Sequence, residues 1–168
     1  MDAQDRILGS RVAHVRELKA EIGRLRAENA RLRGENAALA AHFDLALLAA
    51  EDLRSLPDGG RLVVVDGWNV ILGAKKEARD RGELAAKARA HVAEHPSDMV
   101  WIVLDGPRPA TSVEGRVRVT YTGGSGAHRA DRFICDFVRM AALRGDASRI
   151  EVRTNDKAFL KEVKRLQS

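Results

Sequence analysis

Apolar residues recur at heptad spacing from residue 15 to residue 46. Position a holds Val15, Ile22, Asn29, Asn36 and Phe43; position d holds Leu18, Leu25, Leu32, Leu39 and Ala46. Four consecutive leucines at d predict a long helix with one sticky seam, a coiled coil. "LPDGG", residues 56–60, ends it. Beyond this point the pattern changes to short apolar runs separated by amphipathic ones. Strands are predicted at 61–66, 99–105, 116–122 and 149–154, the third with one wetter face. Helices are predicted from Trp68 to about His95, where Pro96 closes the run, and at 129–143 and 157–166. Strands alternating with helices imply a mostly parallel sheet covered on both faces. The expected organisation is a coiled-coil helix over 1–56, a linker at 57–60 and an α/β domain over 61–168.

Charges beside the heptad seam add an orientation. Position g carries Glu21, Glu28 and Glu35; position e carries Lys19, Arg26 and Arg33. In a parallel pair g meets the e position five residues later on the partner, which matches Glu21 with Arg26 and Glu28 with Arg33. An antiparallel pair would set like charges together. Asparagine at a, here Asn29 and Asn36, favours two strands in fixed register. The expected dimer interface is Val15, Leu18, Ile22, Leu25, Asn29, Leu32, Asn36 and Leu39. The competing reading is a helix packed on the chain's own α/β part, which usually needs apolar residues beyond a and d. A DNA-binding basic zipper is disfavoured, because residues 1–14 hold only Arg6 and Arg11, with Asp2 and Asp5 among them.

Composition narrows the class. The chain has 168 residues, 45% of them hydrophobic and 32% charged, which describes a globular protein with exposed helix. No apolar run approaches membrane-spanning length. The sole cysteine, Cys135, excludes an intrachain disulfide; with no export pattern at the N-terminus, the expected location is the cytoplasm. Residues 1–58 carry nine Lys and Arg against ten Asp and Glu, whereas residues 59–168 carry 20 against 14. A basic C-terminal part suggests a polyanionic partner. Arg108, Arg116, Arg118, Arg129, Arg132 and Arg153 fall in or near segments flanking the strand ends and are the candidates for backbone phosphates.

The chemistry concentrates in acids. "VVVDGWN", 63–69, finishes a buried strand in a carboxylate. Asp105 and Asp156 stand at or just past the ends of two other strands, and Asp131 lies in the first turn of a helix. In a parallel sheet such ends share one edge, where ligands bind. Crowded carboxylates raise each other's pKa values unless a cation sits among them. Hard oxygen ligands suit Mg²⁺ or Mn²⁺, and such ions can activate water against a phosphodiester. Asn69 would hold the Asp66 carboxylate or contact substrate. Each aspartate also has a structural reading: Asp66 as a helix cap, Asp131 as a dipole complement, Asp105 and Asp156 as turn residues. The glycines of "TGGSGAH", 122–128, match neither a P-loop nor a dinucleotide fingerprint.

"LVVVDGWNVI", "VWIVLDG", "ADRFI" and "VRTND", in this order and spacing, resemble the NYN domain, specifically its bacterial YacP-like branch, related to PIN-domain nucleases. The resemblance covers about residues 60–168, and "VDGWN" is its most specific element. It implies a PIN-like three-layer α/β/α sandwich and a metal-dependent ribonuclease with an acidic centre. Carried over by motif, the catalytic candidates are Asp66, Asn69, Asp105, Asp131 and Asp156, with Asp66, Asp105, Asp131 and Asp156 as metal ligands. Trp68 stands where the family usually has Tyr. "HRAD" stands where it commonly has Glu-Thr-Ala-Asp, so His128 and Arg129 replace a carboxylate and a hydroxyl.

The expected function is a metal-dependent endoribonuclease using Mg²⁺ or Mn²⁺, dimerised through a parallel coiled coil. The alternative is a catalytically inactive RNA-binding dimer, and a third reading is a scaffold for another zipper protein. Expected partners are RNA, a second copy of the chain and RNA-processing machinery such as the ribosome, with no membrane.

Overall fold

The computed structural model describes residues 3–72, 78–124 and 128–168, and the backbone only at 3–10, 38, 41, 42, 45 and 46. Residues 73–77 of the predicted 68–95 helix and residues 125–127 of the glycine loop lie outside this range. The chain divides into two compact units, 1–37 and 38–168.

The first unit is the N-terminal part of helix α1, Ala3–Ser55. Its heptad leucines lie along an exposed surface. Its polar flank is laced by intrahelical pairs three and four residues apart, Glu21 with Arg24 and Arg31 with both Glu28 and Glu35, a spacing that brings side chains together on a helix.

The second unit begins within α1 and not at the "LPDGG" turn. Ala49, Ala50, Leu53 and Leu56 are buried in its core, so the end of the long helix is part of the α/β unit. Five strands follow: β1 Leu62–Asp66, β2 Met99–Leu104, β3 Pro109–Glu114, β4 Val117–Thr122 and β5 Ile150–Arg153. They form one sheet in the order β3-β4-β2-β1-β5. β4, β2, β1 and β5 run parallel, and β3 pairs antiparallel with β4 at the edge.

The predicted 68–95 helix is two described helices, α2 Gly67–Leu72 and α3 Arg81–Glu94. Asp80 caps α3 by accepting from the Glu83 N–H at 2.9 Å. Glu83 reaches back to the Arg79 N–H, also at 2.9 Å, a capping arrangement that fixes the helix start. Helices α4 Arg129–Leu143 and α5 Lys157–Gln167 complete the unit.

Alternation along the strands sorts the core onto two faces. Leu62, Val64, Trp101 and Val103 meet the end of α1, α4 and α5, with Trp101 set edge-on between Phe133 and Phe137. Val63, Val65, Val100, Ile102 and Leu104 meet α2 and α3. Both faces are thus covered, as expected of a mostly parallel sheet.

β4 has the one wetter face expected of "RVRVTYT", and it is the apolar side: Val119 and Tyr121 are partly exposed, whereas Arg118, Thr120 and Thr122 are buried. Trp101 Nε1 donates to Thr120 Oγ1 at 2.9 Å, and Arg118 is ion-paired with Asp52 of α1. These contacts offset the burial of Thr120 and of the Arg118 charge, while Arg118 Nε is buried without a hydrogen-bond partner among the described residues. The edge strand β3 is absent from the sequence reading. All six of its residues are exposed, so no buried face marks it. It reaches β4 through Gly115, whose φ of +58° favours glycine.

A candidate acidic site at the carboxyl edge of the sheet

Strand parity carries Asp66 and Asp105 to the α4 side of the sheet. Asp66 continues the face of Leu62 and Val64 at the end of β1, and Asp105 follows β2 on the face of Trp101 and Val103. Gly67 lets the chain turn from β1 into α2 against the neighbouring strand. A Cβ there would lie 2.5 Å from Leu104 Cδ2 and 3.1 Å from Ile102 Cγ2.

Each carboxylate is held differently. Asp66 is 3% exposed. Its Oδ2 accepts from Thr154 Oγ1 at 3.0 Å, and its Oδ1 from the Asn69 N–H at 3.4 Å. No cationic side chain pairs with it among the described residues. Burial pushes its carboxyl up to about 6; Thr154 opposes the shift, and the negative charges of Asp131 and Asp105 add to it. Asp105 Oδ1 accepts from the Ala130 N–H at 2.7 Å and from Thr122 Oγ1 at 3.2 Å. The first bond ties the end of β2 to the N-terminus of α4, where a negative charge is favoured. The Trp68 indole N–H donates to the Asp105 carbonyl at 2.8 Å, so Trp68 positions the same loop from the other side.

Asp131 is in the first turn of α4 and pairs with His128 Nδ1 at 3.0 Å. His128 precedes the helix at φ +60°, the sole non-glycine residue with positive φ among those described. A side chain in this region costs free energy and marks a position worth examining.

Asp156 is the N-cap of α5. Its Oδ1 accepts from the Ala158 and Phe159 N–H groups at 2.8 and 3.0 Å. It borders the same groove as Asp131, a volume of about 450 Å³ also lined by Arg132 and Glu162. Asn69 contributes its backbone to the site: its N–H holds Asp66, and its carbonyl accepts from Asn155 Nδ2 at 3.3 Å.

The six arginines separate. Arg108 is exposed in the loop after Asp105, Arg132 is exposed at the groove, and Arg129 opens α4 half-buried against Gly124. The other three are not at this site. Arg116 lies at the opposite edge of the sheet and bonds the Ser97 carbonyl. Arg118 is buried against Asp52 and offers nothing to a ligand. Arg153 borders a cavity on the α3 face with Val65 and His91 and pairs with Glu151.

Thr122 and Thr154 are the positioning residues that the sequence reading missed. Both sit at strand ends on the face that Asp66 and Asp105 share, and this parity was the available signal. Cys135, beneath the groove, is buried, and burial pushes its thiol up to about 11, far from the thiolate a nucleophile requires.

The donor set suits a hard divalent cation: acceptor-only oxygens, one of them buried without a cationic partner. It does not enclose one, since among the described residues no three His, Cys, Asp or Glu side chains form a group able to hold a metal. Also among the described residues, no helix is long and apolar enough to cross a membrane. Comparison with protein-family models, curated proteins and solved structures finds no match to the chain.

Proposed function

We propose that the chain is a metal-dependent endoribonuclease acting at the carboxyl edge of its sheet. The observation that carries this reading is Asp66, a buried carboxylate without a cationic partner, which feels the charges of Asp131 and Asp105. A fold has little reason to keep such a group for stability. The sequence resemblance to the NYN domain supports the same reading, as does a sheet layered between helices, which is the architecture a PIN-like sandwich requires.

In this reading one or two of Asp66, Asp105 and Asp131 would hold Mg²⁺ or Mn²⁺ together with water, and the ion would supply Lewis-acid activation of water and charge stabilisation at the leaving oxygen. The remaining work belongs to the chain. Thr154 and the Asn69 N–H fix the Asp66 carboxylate. Trp68, Thr122 and the Ala130 N–H fix Asp105. Arg108, Arg129 and Arg132 stand beside the acids and would neutralise backbone phosphates. Asp156 caps α5 and stays outside the metal set.

A second reading, an RNA-binding protein without catalysis, is favoured by one contact. His128 engages the Asp131 carboxylate, which a cation would otherwise use. The test is cleavage of a labelled mixed-sequence RNA with Mn²⁺, Mg²⁺ or EDTA, beside Asp66→Asn made identically. Metal-dependent cutting abolished by the substitution is expected. No cutting under any metal, with salt-sensitive RNA binding retained, selects the second reading.

A further inference from the structure

The heptad register does not stop where the exposed seam stops. Carried forward from Val15, positions a and d fall on Ala50 and Leu53. Both are buried in the α/β unit beside Ala49 and Leu56. Upstream, Val15, Leu18, Ile22, Leu25, Leu32 and Leu39 in the same register are between 45% and 65% exposed. One uninterrupted repeat therefore has its downstream end covered by the chain's own core and its upstream length uncovered. Apolar residues at this regular spacing seldom stay in water.

We propose that the upstream seam, residues 15–39, is covered by a second copy of the same chain, parallel and in register, and that this pairing ends before Ala49. Four observations point to that occupant. The seam is continuous with an interface already filled by apolar packing. A groove along it, lined by Ile22, Leu25, Arg26, Asn29, Ala30 and Arg33, presents the holes that a partner's a and d side chains fill. The flanks are self-complementary: Glu21 and Glu28 at g face Arg26 and Arg33 at e of an identical parallel partner. Finally, Asn29 and Asn36 at a would meet their own counterparts only in exact register.

The single helix leaves half of this charge pattern unused. Glu21, Glu28 and Glu35 pair within the helix to Arg24 and Arg31. Arg26 and Arg33 make no ion pair among the described residues, although they flank the seam. Pairing with a second copy gives these two arginines their partners. The downstream limit follows from occupancy. Ala50 and Leu53 are committed to the α/β core, so the seam changes partner between Phe43 and Ala49. The inference is independent of the proposed ribonuclease activity, and so is its test.

The experiment uses the full chain. Sedimentation equilibrium at micromolar concentration should give twice the 18.4 kDa chain mass. Leu18→Cys should form an interchain disulfide at identical positions, because parallel register sets residue 18 against residue 18. Cys135, the sole native cysteine, is buried and does not compete. Glu28→Arg alone and Arg33→Glu alone should each weaken the dimer by about tenfold, and the double swap should restore it. Leu25→Glu with Leu32→Glu should give a folded monomer by circular dichroism, since both side chains are exposed in the single chain. A monomeric wild type overturns the proposal, as does a dimer that survives the Leu25 and Leu32 pair. A dimer that leaves Leu18→Cys uncrosslinked overturns the parallel register.

Discussion

Thr154 donates its hydroxyl to Asp66 Oδ2 at 3.0 Å, so the carboxylate ending β1 is held by a residue just past the end of β5. The same Oγ1 accepts from the Asp156 N–H at 3.1 Å, linking the acidic edge to the cap of α5. Thr154→Val keeps the shape and removes both bonds. Asp66 then loses the contact that opposes its upward shift, and its carboxyl should titrate still higher by carbon-detected NMR. Leaving a buried acceptor short of a donor should cost about 1–3 kcal/mol in urea unfolding. Thr154→Ser should restore the titration, which a purely steric role would not require.

The raised Asp66 carboxyl has a consequence for stability, with a definite sign. Its folded value is about 6 against an ordinary value of 3.8. Between these values the native state binds more protons than the unfolded state, so stability falls as pH rises through the window. The penalty is absent below about pH 4 and fully present above about pH 7. Its upper bound is about 3 kcal/mol. Asp66→Asn removes it, so the variant should gain on the wild type as pH rises from 4 to 7 and hold a constant lead beyond. Mn²⁺ should narrow that lead by stabilising the wild type alone. Urea midpoints across this pH range, with and without Mn²⁺, measure both effects; a lead that ignores pH would remove Asp66 from the list of penalised groups.

His128 combines a left-handed backbone with a 3.0 Å contact from its Nδ1 to an Asp131 carboxylate oxygen. His128→Gly relieves the first and deletes the second. Relief of a left-handed side-chain residue should stabilise the fold by about 1 kcal/mol. Freeing Asp131 should tighten Mn²⁺ binding by calorimetry. Tighter binding with no cleavage would show that the His128 contact is not what separates the two proposed functions.

The parts of the fold legible in the sequence are those whose chemistry is periodic. Val63, Val64 and Val65 are buried in a central strand, and Ala130, Phe133, Ile134, Phe137 and Ala141 mark the buried stripe of α4. The acids at strand ends were legible because parallel strands send their carboxyl ends to one edge. What escaped depends on distant partners. Arg118 reads as a surface cation until Asp52, far away in sequence, is placed against it. β3 escaped because an edge strand with no buried face has no period to detect. Asp156 reads equally as ligand or cap in the sequence, and the two backbone donors on its Oδ1 show the cap.

Gly67 separates the demands of the turn from those of the acid. A methyl group there would collide with Leu104, which is 1% exposed and packed in the α3-side core. Gly67→Ala should therefore cost about 1–3 kcal/mol through overpacking. It should also displace Asp66, its immediate neighbour, and so weaken Mn²⁺ binding by calorimetry. Leu104→Ala made together with Gly67→Ala clears the collision and should recover metal binding even though stability falls further. Failure to recover would place the effect in the backbone and not in the contact.

Asp156 offers the cleanest separation of structure from chemistry. An asparagine keeps the side-chain oxygen that accepts from Ala158 and Phe159, and Asn caps helices about as well as Asp. Asp156→Asn should leave the urea midpoint nearly unchanged, whereas Asp156→Ala should lose about 1 kcal/mol. With Asp156 outside the metal set, Asp156→Asn should also keep metal-dependent RNA cleavage, under conditions where Asp66→Asn and Asp131→Asn lose it. Cleavage lost in Asp156→Asn at unchanged stability would return this carboxylate to the metal set and make the site a four-aspartate one.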